Sequence, residues 1–214
     1  VSNAAIAAGA QGNWTPIGAE QVAGGGYDVA WKNGSADQYI VWATDSNGNL
    51  TSLMTGVISG ASATLQSFEA IFHQDLNADG VITIESLGST KLDQIGSYYY
   101  LARVSGSSGP SVKVGNAAIA TGAQGNWTPI GAEQLTGGGY EVAWKNGNAD
   151  EYIVWATDDN GNLTSFVTGV VSGSSVKLKN LEATFHQDFN GDGAISSVVS
   201  AAAPVGNAAV GNLL

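Results

Sequence analysis

GYDVAWKNGSADQYIVWATDSNGNLTSL, residues 26–53, is the stretch on which the fold turns. On an extended chain Tyr27, Val29 and Trp31 fall on one face and Asp28 and Ala30 on the other, the period-two signature of a half-buried strand. KNGSAD then supplies an Asn-Gly turn, QYIVWAT (38–44) reads as a second strand, TDSNGN as a second turn, and LTSLMTGVISG (50–60) as a third strand. Strand-like runs joined by two tight turns predict an antiparallel meander.

The stretch occurs twice. GYEVAWKNGNADEYIVWATDDNGNLTSF stands at 139–166, and the correspondence extends on both sides of it. Asn3 matches Asn116 and Asp75 matches Asp188, an offset of 113 residues in both cases, without an insertion between them. A unit this long is a domain with its own core rather than a rung of a solenoid. The organisation expected is a first copy over 1–83, an inter-copy segment over 84–113, a second copy over 114–199, and a tail over 200–214. VGNAAVGNLL in that tail echoes VGNAAIATGA at 114–123 and reads as the stub of a further unit. The inter-copy segment is present once. Its SYYYLARV (97–104) reads as a strand and its SGSSGP (105–110) as a turn or linker, and it either finishes the first copy or begins the second.

Past the meander the periodicity changes. In ATLQSFEAIFHQD, Leu65, Phe68, Glu69 and Phe72 fall at i, i+3, i+4 and i+7, which predicts a short amphipathic helix, with Ser67 or Thr64 as candidate caps. The helix leads into DLNADGVI at 75–82 and DFNGDGAI at 188–195. Asp, Asn and Asp on alternate residues before a glycine are the first half of an EF-hand-like calcium loop. Calcium takes six to eight oxygens, and side chains at loop positions 1, 3 and 5 converge when the chain curls, while glycine at position 6 lets the carbonyl of position 7 turn inward. The candidate ligands are therefore Asp75, Asn77, Asp79 and the Val81 carbonyl, then Asp188, Asn190, Asp192 and the Ala194 carbonyl. Ile82 and Ile195 follow as apolar anchors. The usual acid at position 12 is missing, since Ser86 and Val199 stand there. Glu85 is the substitute within reach in the first copy; the second has only Glu182 or another acid folding in. The competing reading is an ion-free polar turn, because Asp, Asn and Gly all favour turns.

Composition narrows the rest. The 214 residues carry a formal charge of −11, which disfavours nucleic acid as a partner and suits a divalent cation. There is no cysteine, so disulfides and thiolate metal sites are excluded. No apolar run reaches the roughly 18 residues a membrane helix needs, so membrane insertion by a helix is not expected.

Six tryptophans fall at matching places: Trp14, Trp31 and Trp42, then Trp127, Trp144 and Trp155. Trp31, Trp42, Trp144 and Trp155 lie in strand-like runs and read as core. Trp14 and Trp127 sit in GNWTPIG, read as a loop, where an exposed indole is a candidate sugar-stacking platform. His73 and His186 end the predicted helices and have no repeated nucleophile to serve, so they read as helix-end residues packing on the loop. Asp45, Asp158 and Asp159 read as turn residues.

WTPIGAEQ, GYEVAWKNGNADEYIVWATDDNGN and LEATFHQDFNGDGAI together resemble the tryptophan-containing repeat modules of large secreted, calcium-binding bacterial proteins of the RTX type. That resemblance implies an extracellular or cell-surface location, calcium, and a role within a multidomain surface protein; it transfers no catalytic residue. The expectation is thus a mainly β chain of two tandem antiparallel β domains, each with a short helix leading into an EF-hand-like calcium loop. Its function is that of a non-enzymatic, calcium-stabilised module with a structural or adhesive role. A carbohydrate-binding module using Trp14 and Trp127 is the alternative, and a glycan or another surface protein the further partner.

Overall fold

The computed structural model describes residues 5–7, 9–104 and 109–195. The tail over 200–214, Val199 and most of SGSSGP lie outside the described residues. The first copy runs β1 (Trp14–Gln21), β2 (Tyr27–Asn33), β3 (Tyr39–Thr44), β4 (Leu50–Leu53) and α1 (Ala63–Phe72). The strands form one antiparallel sheet in chain order. The expected meander is present, with Val29 opposite Trp42 and Trp31 opposite Ile40. Gly26 closes the β1–β2 turn at φ 104, where an added Cβ would lie 2.3 Å from the Thr44 carbonyl oxygen, so only glycine fits.

Alternation decides which residues meet the helix. Ala30, Tyr39 and Val41 project from one face and pack against Leu65, Phe68 and Phe72 of α1. Trp31 and Trp42 project from the other face and stack at 4.5 Å between ring centroids. Ser62, rather than Thr64 or Ser67, is the N-cap, and its side chain makes no capping bond. The Ser67 hydroxyl instead donates to the Thr64 carbonyl inside the helix. His73 ends α1 in the left-handed conformation, its N–H donating to the Glu69 carbonyl. Its side chain, like that of His186, is exposed rather than packed on the loop.

Two strand readings need correction. GNWTPIG is not a loop, because Trp14 and Trp127 open eight-residue strands that pair with their neighbours through seven residues. Proline and glycine argue against a central strand, yet this is an edge strand, and a bulge between Pro16 and Gly18 absorbs both. The run at 50–60 forms strand only to Leu53, after which Ile58 alone returns to bridge Tyr39.

Beyond the first loop come β5 (Val81–Glu85), β6 (Thr90–Ile95) and β7 (Tyr98–Arg103), an antiparallel three-stranded sheet. A short ribbon of β8 (Lys113–Val114) and β9 (Ala117–Ala118) leads to β10 (Trp127–Gln134), β11 (Tyr140–Asn146), β12 (Tyr152–Thr157), β13 (Leu163–Phe166) and α2 (Val176–Phe185). The second copy repeats the first in register and helix packing. What differs is its tryptophan face. Leu92, Tyr99 and Leu101 of the β6–β7 hairpin, with Val112 and Ile119, cover Tyr140, Val142, Trp144 and Trp155 in a single apolar core. The inter-copy segment thus grows from the first copy's loop and packs into the second copy's core. The second copy is three layers thick: hairpin, sheet and helix.

Candidate metal centre

Each acidic loop begins two residues past its helix. In the first, Asp75 Oδ1 accepts from the Asp79 N–H at 3.1 Å and Oδ2 from the Gly80 N–H at 2.8 Å. Asn77 Oδ1 accepts from the Asp79 N–H and Asp79 Oδ1 from the Val81 N–H, each at 2.8 Å. The second repeats the pattern: Asp188 Oδ1 and Oδ2 accept from the Gly191 and Gly193 N–H groups, and Asp192 Oδ1 from that of Ala194. Left-handed residues make the curl possible, namely Ala78 and Gly80 in one loop and Gly191 and Gly193 in the other. The predicted side chains at positions 1, 3 and 5 are therefore drawn together around one short turn. Val81 opens β5 opposite Ile95, whereas Ala194 is exposed. Ile82 is half-buried but Ile195 is 49 % exposed, so the apolar anchor expected in both loops is present only in the first.

Glu85 does not join this cluster. It sits at the far end of β5, buried, with its carboxylate accepting from the Leu87 N–H and, at 3.4 Å, from the Ala132 N–H of β10. Position 11 of the loop has become strand, and β5 carries its side chain to the inter-copy contact instead. Burial pushes Glu85 up to about 7.

Two other acids approach the loops. Glu69 of α1 is buried beneath the first loop, with Oε1 accepting from the Leu76 N–H at 3.2 Å and Oε2 buried without a partner. Burial, with the charges of Asp79 and Asp75 adding, raises it to about 7. Glu182 repeats the arrangement, accepting from the Phe189 N–H and leaving Oε2 unpartnered. Asp37, on the β2–β3 turn, was missed from the sequence. Its Oδ1 accepts from the Gly60 N–H at 2.7 Å, and the Gly60 carbonyl accepts from Asn77 Nδ2 at 2.9 Å. An added Cβ at Gly60 would lie 2.8 Å from Asp37 Oδ1 and 3.1 Å from Asn77 Cβ, so glycine holds the turn and the loop together. Asp150, Gly173 and Asn190 reproduce the relay. The available signal was the repetition of an acid after each Asn-Gly turn, NGSAD and NGNAD.

The copies differ in one charge. Lys179 Nζ lies 2.6 Å from Asp192 Oδ2 at the rim of a cavity of about 260 Å³ that Asp150, Gly173 and Asn190 also line. That ammonium holds the Asp192 carboxyl below the usual range. Gln66 is the matching residue of the first copy. Among the described residues no three His, Cys, Asp or Glu side chains converge closely enough to hold a metal by themselves. Any ion here relies on Asn77 or Asn190 and on backbone carbonyls as well.

The model of the tryptophan-rich Synechocystis species C-terminal domain matches residues 1–83 and again 90–196. The chain belongs to that family. No curated protein and no solved structure matches it. The second match begins at Thr90, the first residue of β6, so the tryptophan-rich domain pattern takes in the hairpin lying over the sheet.

The six tryptophans group on the sheet faces turned away from the helices. Trp31, Trp144 and Trp155 are buried, as read from the sequence, and Trp42 is half-buried. Trp14 lines an apolar cavity of about 270 Å³ with Ile6, Gln11, Pro16 and Trp31. Trp127 is likewise half-buried: it packs on the second core and lines a smaller cavity of about 160 Å³ with Trp155 and Phe166.

Proposed function

We propose that the chain is a non-enzymatic repeat module of a bacterial secreted or cell-surface protein, and that each helix–loop element takes a calcium ion that stabilises the fold. The observation that supports this reading is the curl of both loops. Asp75 and Asp188 hold backbone N–H groups of their own loops with both oxygens, which leaves Asn77 with Asp79, and Asn190 with Asp192, gathered beside them. Calcium would draw on those side chains and on the carbonyls of Val81 and Ala194. Asp37 and Glu69, or Asp150 and Glu182, are the nearest further acids in place of the missing twelfth-position carboxylate. A set of several oxygens on a flexible loop suits calcium better than magnesium, which demands a tight octahedron. The net charge of −11 adds to the stabilisation expected when a divalent cation relieves repulsion among these acids. Association with RTX-type secreted proteins, and an adhesive role, belong to the same proposal and rest on the resemblance of the repeat sequences alone.

Calorimetric titration tests it. The chain should take two calcium ions, the Asp79→Ala variant one, and the Asp79→Ala, Asp192→Ala variant none; an absence of heat with the unaltered chain would overturn the reading.

A carbohydrate-binding module is the second reading, supported by the open groove in which Trp14 stands with Trp31. Trp127 is half-buried like Trp14 but lines a smaller cavity, of about 160 Å³ against about 270 Å³, between the second core and Phe166. A glycan array with the unaltered chain and with Trp14→Ala decides it, because a sugar signal that survives the substitution, or none at all, removes the idea.

A further inference from the structure

The two copies carry the same residues on their tryptophan faces but bury them differently. In the second copy Ala132 is 0 % exposed, Tyr140 6 % and Trp144 0 %, all beneath the β6–β7 hairpin, and Glu133, on the opposite side of the same edge strand, is 4 % exposed beside the turn before the hairpin. In the first copy the matching Ala19 is exposed, Glu20 half-exposed and Tyr27 37 % exposed, while Trp31, itself buried at 6 %, borders an open groove. The sheets pair in the same register, so the difference lies in what covers them and not in how they fold.

The cover in the second copy is specific. Ser89 donates to the Glu133 carboxylate with both its N–H, at 2.8 Å, and its hydroxyl, at 2.7 Å. The outward N–H groups of β10, which an edge strand leaves unpaired, donate to side chains of the hairpin segment: Ala132 to Glu85 Oε2 and Gln134 to Thr90 Oγ1. Tyr99 meets Trp144 edge-on, with centroids 6.0 Å apart. In the first copy Ala19, Glu20, Gln21 and Trp31 present the same edge donors, acceptor and indole.

We propose that the tryptophan face of the first sheet is a receiving surface for a β-hairpin of the kind formed by residues 90–103, supplied by the repeat directly ahead of it as the first copy supplies one to the second. Modules then join head to tail through one repeated contact, each hairpin completing the core of the next unit. This is a heterologous contact, the kind that propagates into arrays. Within this chain it is already made once, and the family pattern of the second copy includes the hairpin that makes it. The proposal stands independently of calcium.

The test places a second copy of residues 83–113 immediately before Val1 of the full chain. A control chain carries the same addition with the residues matching Tyr99 and Leu101 changed to Asp. Tryptophan emission and acrylamide quenching are compared, together with the melting of the first copy. The intact addition should shift emission to the blue, reduce quenching, and raise the first copy's melting temperature by several degrees, while the control should behave like the unextended chain. Equal behaviour of the two additions would overturn the proposal. So would concentration-dependent dimerisation of the unextended chain that Tyr27→Asp abolishes, because the face would then serve self-association. A glycan that protects Trp31 from quenching better than the added hairpin would also assign the surface elsewhere.

Discussion

Lys179 Nζ on α2 and Asp192 Oδ2 in the second loop lie 2.6 Å apart, whereas Gln66 holds the place of Lys179 in α1. The second site thus carries its own cation, which an incoming ion must displace or tolerate. Lys179→Gln should raise the calcium affinity of the second loop by no more than about five-fold, because an exposed ion pair contributes little. Gln66→Lys should weaken the first loop by a similar factor. Titration of each variant measures both shifts, and equal affinities before and after would remove the competition argument.

Ala78 occupies a left-handed conformation at φ 63, where the second loop has Gly191 at φ 73. A Cβ in that region costs on the order of 1 kcal/mol, which outweighs the extra freedom glycine adds to the unfolded chain. Ala78→Gly should therefore stabilise the first copy by a few tenths to about 1 kcal/mol in urea melts. A loss of stability would show that the strain is not where the backbone places it.

Glu85 is buried against β10, and burial raises it from an ordinary 4.5 to about 7. The folded chain then holds a proton that the unfolded chain has released, so stability falls as pH rises from about 4.5 to about 7 and stays reduced above that. Glu85→Gln cannot ionise and keeps one oxygen, which still accepts from the Leu87 N–H while the longer Ala132 bond is lost. The substitution should remove Glu85's share of this slope, Glu69 keeping its own, and leave the variant more stable than the unaltered chain at pH 8, by about 1–3 kcal/mol. Urea melts across the pH range read the difference.

Leu101 is fully buried between the hairpin and the second sheet. Leu101→Ala should cost about 2–5 kcal/mol and make Trp144 and Trp155 more open to acrylamide. A loss confined to the first copy would contradict the placing of the hairpin in the second core.

The meander, the helix and the loop were legible because each rests on a local pattern: alternation around Trp31, an i, i+3, i+4, i+7 stripe through Phe68, and oxygen-bearing residues spaced by two. β1 was not, because Pro16 and Gly18 read locally as loop and are tolerated only since the strand is an edge with a bulge. Glu85 fell within the right number of residues of the loop, but the start of β5 at Val81 carries it away, and only tertiary pairing reveals that. Asp37 lies 38 residues before Asp75 and meets the loop through Gly60, a relay that sequence spacing does not encode. The same holds for the tryptophan faces. Four indoles in strand-like runs announced a core; Trp144 and Trp155 lie beneath a hairpin, whereas Trp31 is buried and Trp42 half-buried without one, and that hairpin belongs to a segment present once.

The measurement that bears most directly on the account is the melting temperature in calcium and in chelator, on the unaltered chain and on Asp79→Ala, Asp192→Ala. Calcium at about a hundredfold excess over its dissociation constant should add about 2.7 kcal/mol per site, seen as a rise of several degrees that chelator reverses and the double variant lacks. Identical melting of the unaltered chain in calcium and in chelator would contradict the account.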